Sequence, residues 1–205
     1  IPANYTLTLN GYNGGSITFP GDVDIFAQGT NTVSDGILVD GDLYFNDGAI
    51  LDLNGFELSV ETESVATVCL HSGDEGESSS LTVMDGSAEQ TGAIDAGAAS
   101  HAIYVYGGSL TVEGGTFSAR DSALETHQYT TVVINGGRFF SEDSTALIRI
   151  SGSLTVNGGD FTDTTPNLFH AISTGAVEDV NVKILGGDFG EGGTYGHFGV
   201  YGFLD

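Results

Sequence analysis

The chain has 205 residues and carries 28 Asp and Glu against 4 Lys and Arg, a formal charge of −24 at neutral pH. A field of that sign and size repels nucleic acid and anionic membranes and favours solubility and cation binding, so it counts against DNA or RNA partners. A single Cys leaves no disulfide framework and no cysteine-cluster metal site, and no apolar run reaches the 18 residues of a membrane span.

Gly is abundant at 32 and Pro scarce at 3, while Val, Ile, Leu, Phe, Tyr and Thr fill the short runs between glycines. That is strand-and-turn composition, with almost no helix signal. The chain begins at Ile1 without Met and with no signal peptide, as expected of a mature or excised portion of an exported protein. The lone sequon Asn4-Tyr5-Thr6 reads as chance. Strands are expected at YTLTL, SITF, VDIFA, GILV, DLYF, AILDL, FELSV, ATVCL, SLTVM and GAID, in that order. Cys69, inside ATVCL, reads as a small buried hydrophobe. HSGDEGESSS, at 71 to 80, reads as an exposed acidic loop.

From Ser100 onward each lap of chain resolves into three strands. HAIYVY, ALETH, TALIRI, HAIS and HFGVY come first in successive laps, and SLTV, TVVI, SLTV and VNVKI come second. The third is a Phe-containing step that follows a Gly-Gly pair, with Phe at 117, 139, 161 and 189. Two of these steps are 22 residues and the last is 28, a period that marks a solenoid. Alternation puts Leu110 and Val112, Val132 and Ile134, Leu154 and Val156, Val182 and Ile184 on one face, as inward columns. The four Phe rings are expected to form an internal ladder at the strand spacing of about 4.8 Å. The Gly-Gly pairs mark bends where positive φ is accessible. SLTVMDG is a degenerate copy, with Gly86 lying 28 residues before Gly114.

These features predict an all-β, right-handed parallel β-helix of about eight coils with three short strands per coil. It forms a single domain over 1–205, irregular in 1–99 and regular, with 22–28-residue coils, in 100–205. The run AILDLNGFELSV, then SLTVMDG, then the serial SLTVxGGxF units resemble the pectin-lyase-like right-handed β-helix repeats of bacterial secreted and surface proteins, over roughly residues 42 to 190. The resemblance implies an exported protein at a cell surface or in a matrix. It leaves activity open, because the superfamily spans lyases, hydrolases, adhesins, tailspikes and structural solenoids.

A lyase of this fold needs a cation-bound carboxylate cluster with an Arg or Lys base, and only Arg120, Arg138, Arg149 and Lys183 are present. The 22-residue period puts Val105, His127 and Arg149 in one outward column, with Glu125 two residues before His127. Glu125, His127 and Arg149 are thus the candidate centre for an anionic sugar, against the plainer reading of a solvated Glu125–Arg149 salt bridge. The hydrolases use several Asp residues with an Arg-x-Lys element, which this chain lacks. Arg138, Asp160 and Asp188 follow successive Gly-Gly turns. Arg138 with Asp160 reads as a cross-coil ion pair, and Asp160 beside Asp188 as a like-charge contact that calcium would relieve. His101, His170 and His197 each start a first strand and align as a metal candidate, against turns that simply favour a polar residue. The irregular columns Ser109, Thr131, Ser153, Asn181 and Thr111, Val133, Thr155, Lys183 argue against an ice-binding face.

The chain finishes GHFGVYGFLD and opens on the strand TLTLNG, with no amphipathic helix over either edge. Phe198, Val200, Tyr201, Phe203 and Leu204 are expected to offer an edge to a second copy, stacked head to tail, or to further repeats of a longer chain. The leading expectation is a non-enzymatic extracellular structural or adhesive β-solenoid. The alternative is a carbohydrate-binding or polysaccharide-cleaving β-helix, and a third reading, a viral fibre segment, requires a trimer.

Overall fold

A run of four or five β-branched and aromatic residues between glycines is too short to close a core alone, so it pairs with the equivalent run one lap away. The computed structural model describes residues 50–59, 65–70, 80–142, 146–162, 170–175 and 180–189, and the strand backbone alone at 17–18, 24–25, 29–32, 37–40, 43–45, 49, 60 and 200–201. The described residues hold strands and turns and no helix, hence no helix able to cross a membrane.

Three parallel sheets run along the axis. The first comprises β1 (Ile17–Thr18), β4 (Ile37–Asp40), β7 (Glu57–Val60), β10 (Ala93–Asp95), β13 (Thr116–Ala119) and β16 (Arg138–Ser141). The second comprises β2 (Asp24–Ile25), β5 (Leu43–Phe45), β8 (Ala66–Leu70), β11 (His101–Val105), β14 (Leu124–Thr126), β17 (Ala146–Ile150), β19 (His170–Thr174) and β21 (Val200–Tyr201). The third comprises β3 (Gly29–Thr32), β6 (Ala49–Asp52), β9 (Ser80–Met84), β12 (Ser109–Val112), β15 (Thr131–Ile134), β18 (Ser153–Val156) and β20 (Asn181–Ile184). Through β18 each lap gives one strand to each sheet, which is a parallel β-helix. Among the described residues the sheets hold six, eight and seven strands, so the three-strands-per-coil plan is present, while the complete laps fall short of the expected eight coils.

The inward columns stand where alternation places them. Leu81, Leu110, Val132, Leu154 and Val182 are stacked in register, as are Val83, Val112, Ile134, Val156 and Ile184. All are buried except Val182 and Ile184, which are half-buried. The Phe117, Phe139, Phe161 and Phe189 rings stack at 5.0, 5.1 and 4.8 Å between centroids, within 22° of parallel. Each fully buried ring contributes roughly 2 to 3 kcal/mol, with about 1 kcal/mol more per stacked pair. Beyond β16 the first sheet thins to the single-residue bridges Arg138 to Asp160 and Asp160 to Asp188, and the Phe column continues through them.

The two glycines of each pair have different causes. The second is in the left-handed region, as at Gly159, φ +116°. At Gly136, Gly158 and Gly186 the first is excluded from bearing a side chain by the coil beneath: a Cβ on Gly158 would come within 2.5 Å of the Asn135 carbonyl oxygen, whereas one on Gly114 would come close only to the end of the Gln90 side chain. Outside this bend the Asn157 amide donates to Asn135 Oδ1 at 2.7 Å and the Asn135 amide to Glu113 Oε1 at 2.9 Å, a polar ladder one coil per rung.

The N-terminal half follows the same plan with other residues. Ile94 is paired with Phe117 and Leu58 with Ile94, so the aromatic column continues as aliphatic and the visible repeat is lost while the stacking is kept. β9 lies in register with β12, as the degenerate SLTVMDG implies. β3, whose sequence is Gly-Thr-Asn-Thr, has no apolar alternation and was not among the expected strands. YTLTL and the 71 to 79 loop lie outside the described residues. Cys69 is fully buried.

Asp85 fixes the turn after β9. It accepts from the backbone N–H of Gly92 at 2.6 Å, Gly55 at 2.8 Å and Ser87 at 3.0 Å, joining two coils. Burial pushes its pKa up, but the bonds from Ser87, Gly92 and Gly55 outweigh that and hold it below 3.8.

Two outcomes follow. Phe139→Ala should lower unfolding free energy in urea by about 3–5 kcal/mol, whereas the same change at half-buried Phe189 should cost clearly less. Because the Asp85 pKa is lowered on folding, its contribution is present above pH 3.8 and fades as pH falls below that value. The stability gap between the native chain and Asp85→Asn, followed by thermal melts across pH, should therefore narrow on acidification.

Candidate functional site

The outward face of the second sheet gathers the titratable groups. Its central column runs Cys69, Tyr104, Glu125, Arg149, Ser173. Arg149 holds Asp121 through both guanidinium nitrogens, at 2.9 and 3.1 Å, and reaches Glu125 at 3.4 Å. Glu125 also faces His101 Nε2 at 3.4 Å and accepts from the Ser122 hydroxyl at 3.4 Å. His101 is buried, and its Nδ1 lies 2.9 Å from the Ser122 hydroxyl and 3.1 Å from the Ser122 carbonyl oxygen. Tyr104 packs between His101 and Tyr106, with centroids at 5.6 and 4.4 Å. Burial and then the Glu125 charge push its phenol pKa up.

Glu125 and Arg149 therefore meet, as the sequence predicts, but His127 does not join them. Thr126, not His127, is paired with Val105, and His127 is exposed at the following turn. The 22-residue period fails in this sheet. Five residues separate Ala119 from Leu124, but seven separate their partners Ser141 and Ile148, so the corner before β17 shifts the register by two. The imidazole in the cluster is His101, one coil away, and the second carboxylate is Asp121. The sequence marks His101 only as the start of a first strand, and Asp121, which lies in the corner between β13 and β14, stands outside the alternating strand positions.

Chemically, this arrangement is self-compensating. The Arg149 guanidinium is taken up in a fork by Asp121 and flanked by Glu125, so an incoming uronate would compete with two carboxylates in place. The cluster links the coils at 101, 121–125 and 149 across two inter-coil steps.

The other candidates resolve in the same way. Arg138 Nε lies 3.0 Å from Asp160 and its guanidinium sits 4.3 Å over the Phe140 ring, so the expected cross-coil pair is present. Asp160 also accepts from the Thr162 amide at 2.9 Å and from its hydroxyl. Burial raises the Asp160 pKa, but Thr162 and Arg138 outweigh it and hold it below 3.8. Asp160 and Asp188 are aligned, yet the Asp160 carboxylate already faces a guanidinium, which supplies the positive charge the calcium reading asks for. His101 stands over Ser122, and His170 is paired with Ala146. Three inter-coil steps, about 14 Å, separate the two His residues, too far to share an ion. His197 is outside the described residues, among which no group of three or more His, Cys, Asp or Glu is arranged to hold a metal. Val200 and Tyr201 add as the strand β21 beside β19, while Phe198, Phe203 and Leu204 lie outside the described residues. Set against protein-family models, curated proteins and solved structures, the chain matches none at a significant level.

A double-mutant cycle with Asp121→Asn and Arg149→Gln, read by urea unfolding, should give a coupling of about 1 kcal/mol. The fork geometry places it at the upper end for a pair more than a third exposed.

Proposed function

We propose that this chain is a non-enzymatic extracellular β-solenoid of the pectin-lyase-like type, a structural or adhesive element whose coils associate end to end. The observation that carries this reading is the use made of its scarce cations. Arg138 and Arg149 each tie one coil to the next, and His101 is enclosed between Ser122 and Glu125. In these two arginines and this histidine, groups able to bind or cleave an acidic sugar are spent on holding a shaft together.

The end-to-end part is supported by the rung at β20. Among the described residues β20 is paired on the β18 side alone, and its inward Val182 and Ile184 are half-buried where their counterparts one coil earlier are fully buried. Phe189 is half-buried in the ring stack, and Leu185, next along the chain from β20, is 62% exposed. Parallel strands with unpaired N–H and C=O groups above an apolar rung are a template for another coil, supplied by a second copy or by further repeats of a longer chain.

Negative-stain electron microscopy and light scattering test this reading. Rods that lengthen with concentration are expected, with Leu185→Asp holding them short. A strict monomer at high concentration overturns the assembly, and a defined trimer favours a fibre segment. Release of reducing ends or unsaturated products from a polysaccharide panel overturns the non-enzymatic reading.

A further inference from the structure

Tyr129 breaks two rules at once. It is 90% exposed, the most exposed large apolar side chain among the described residues, and its φ is +63°, in the left-handed region that bulky residues avoid. Neither feature serves the core. The turn that carries it is nonetheless well fixed: the Thr130 hydroxyl donates to the His127 carbonyl at 2.9 Å, and Ser153 N–H donates to the Thr130 carbonyl at 2.8 Å. A strained conformation held this firmly, presenting a ring to solvent, points to a use for the ring.

The surroundings indicate what it would meet. The turns above and below are built from small residues, Gly107-Gly108 and Ser151-Gly152, aligned through Thr131 N–H to Gly108 O and Ser153 N–H to Thr130 O. A Cβ on Gly152 would collide with the Thr130 carbonyl oxygen, so the floor stays low where Tyr129 stands high. The result is a groove of about 310 Å³ lined by the ring, the Gln128 amide and the hydroxyls of Thr131, Ser151 and Ser153. It contains no charged side chain.

We propose that Tyr129 and this groove form a binding site for a neutral polysaccharide. The ring stacks on the apolar face of one sugar, and the amide and hydroxyls exchange hydrogen bonds with its hydroxyl groups. The ligand is uncharged because the chain's −24 charge repels an acidic glycan and the groove offers no cation to pair one. The site lies on the wall of the shaft, at the corner between the second and third sheets, and is independent of whether coils associate at β20.

Affinity electrophoresis through gels containing a mixed-linkage β-glucan, a xylan or a galactomannan, with polygalacturonate as the acidic comparison, tests the proposal. Retardation by at least one neutral polymer is expected. Tyr129→Ala and Tyr129→Gly should weaken it about tenfold or more, and Tyr129→Phe should preserve it. Melting temperatures control for folding. Tyr129→Gly should melt at or above the native temperature, because glycine relieves the positive φ. No retardation by any neutral polymer, undiminished retardation of Tyr129→Ala, or preference for polygalacturonate would each overturn the proposal. Concentration-dependent self-association that Tyr129→Ala abolishes would also overturn it, by making a second copy the occupant.

Discussion

Equivalent residues in this protein must lie vertically above one another, and the other features of the shaft depend on that alignment. Inter-coil hydrogen bonds hold neighbouring strands at the spacing of a parallel sheet, and at that spacing like side chains touch like. Phe117, Phe139 and Phe161 stack because inter-coil pairing sets each ring over the equivalent one a lap earlier. The same alignment brings Asn157 to Asn135 and Asn135 to Glu113 outside the bend, and it forces glycine at Gly158, where a carbonyl from the coil beneath fills the space a Cβ would need. Apolar, polar and empty positions all propagate along the axis by one mechanism.

Vertical alignment also constrains charge. Like charges in a column repel at close range, and with −24 to distribute the chain has little freedom. Two of its four Lys and Arg side chains sit where acids would otherwise stack unopposed: Arg138 against Asp160, Arg149 against Asp121 and Glu125. Where no cation is at hand, carboxylates take up backbone N–H groups, as Asp85 does at the turn after β9. An anion site and an inter-coil tie draw on the same guanidiniums, and here the ties hold them.

The corners are where the plan loosens. A strand's register is fixed along its whole length by its neighbours, but a turn accepts extra residues without disturbing the stack. From Ala119 to Leu124 the chain advances five positions and between their partners, Ser141 and Ile148, seven, and the second sheet therefore runs out of phase with the first and third. Corners are also where a residue such as Tyr129 can depart from ordinary backbone conformation and stand clear of the wall. Variation that would be fatal on a strand is available for recognition at a turn.

The regular half of the fold was legible in the residues, because inward stacking requires the same apolar types at the same interval and the Gly-Gly-x-Phe interval displays it. The N-terminal coils were half legible. Leu58 and Ile94 extend the Phe column with different shapes, so the period is kept in space while its letters change, and Gly29–Thr32 pairs as a strand with no apolar pattern to announce it. The surface cluster was barely legible. Glu125 and Arg149 were within reach of a constant period, but the register of the second sheet departs from 22 residues, which puts Thr126 and not His127 beside Val105, and Asp121, Ser122 and His101 join the cluster from outside the column. A one-dimensional repeat specifies what stacks on what along each sheet. Which outward side chains become neighbours around a corner depends on how far each turn swings the chain, a quantity set by packing among all three sheets at once.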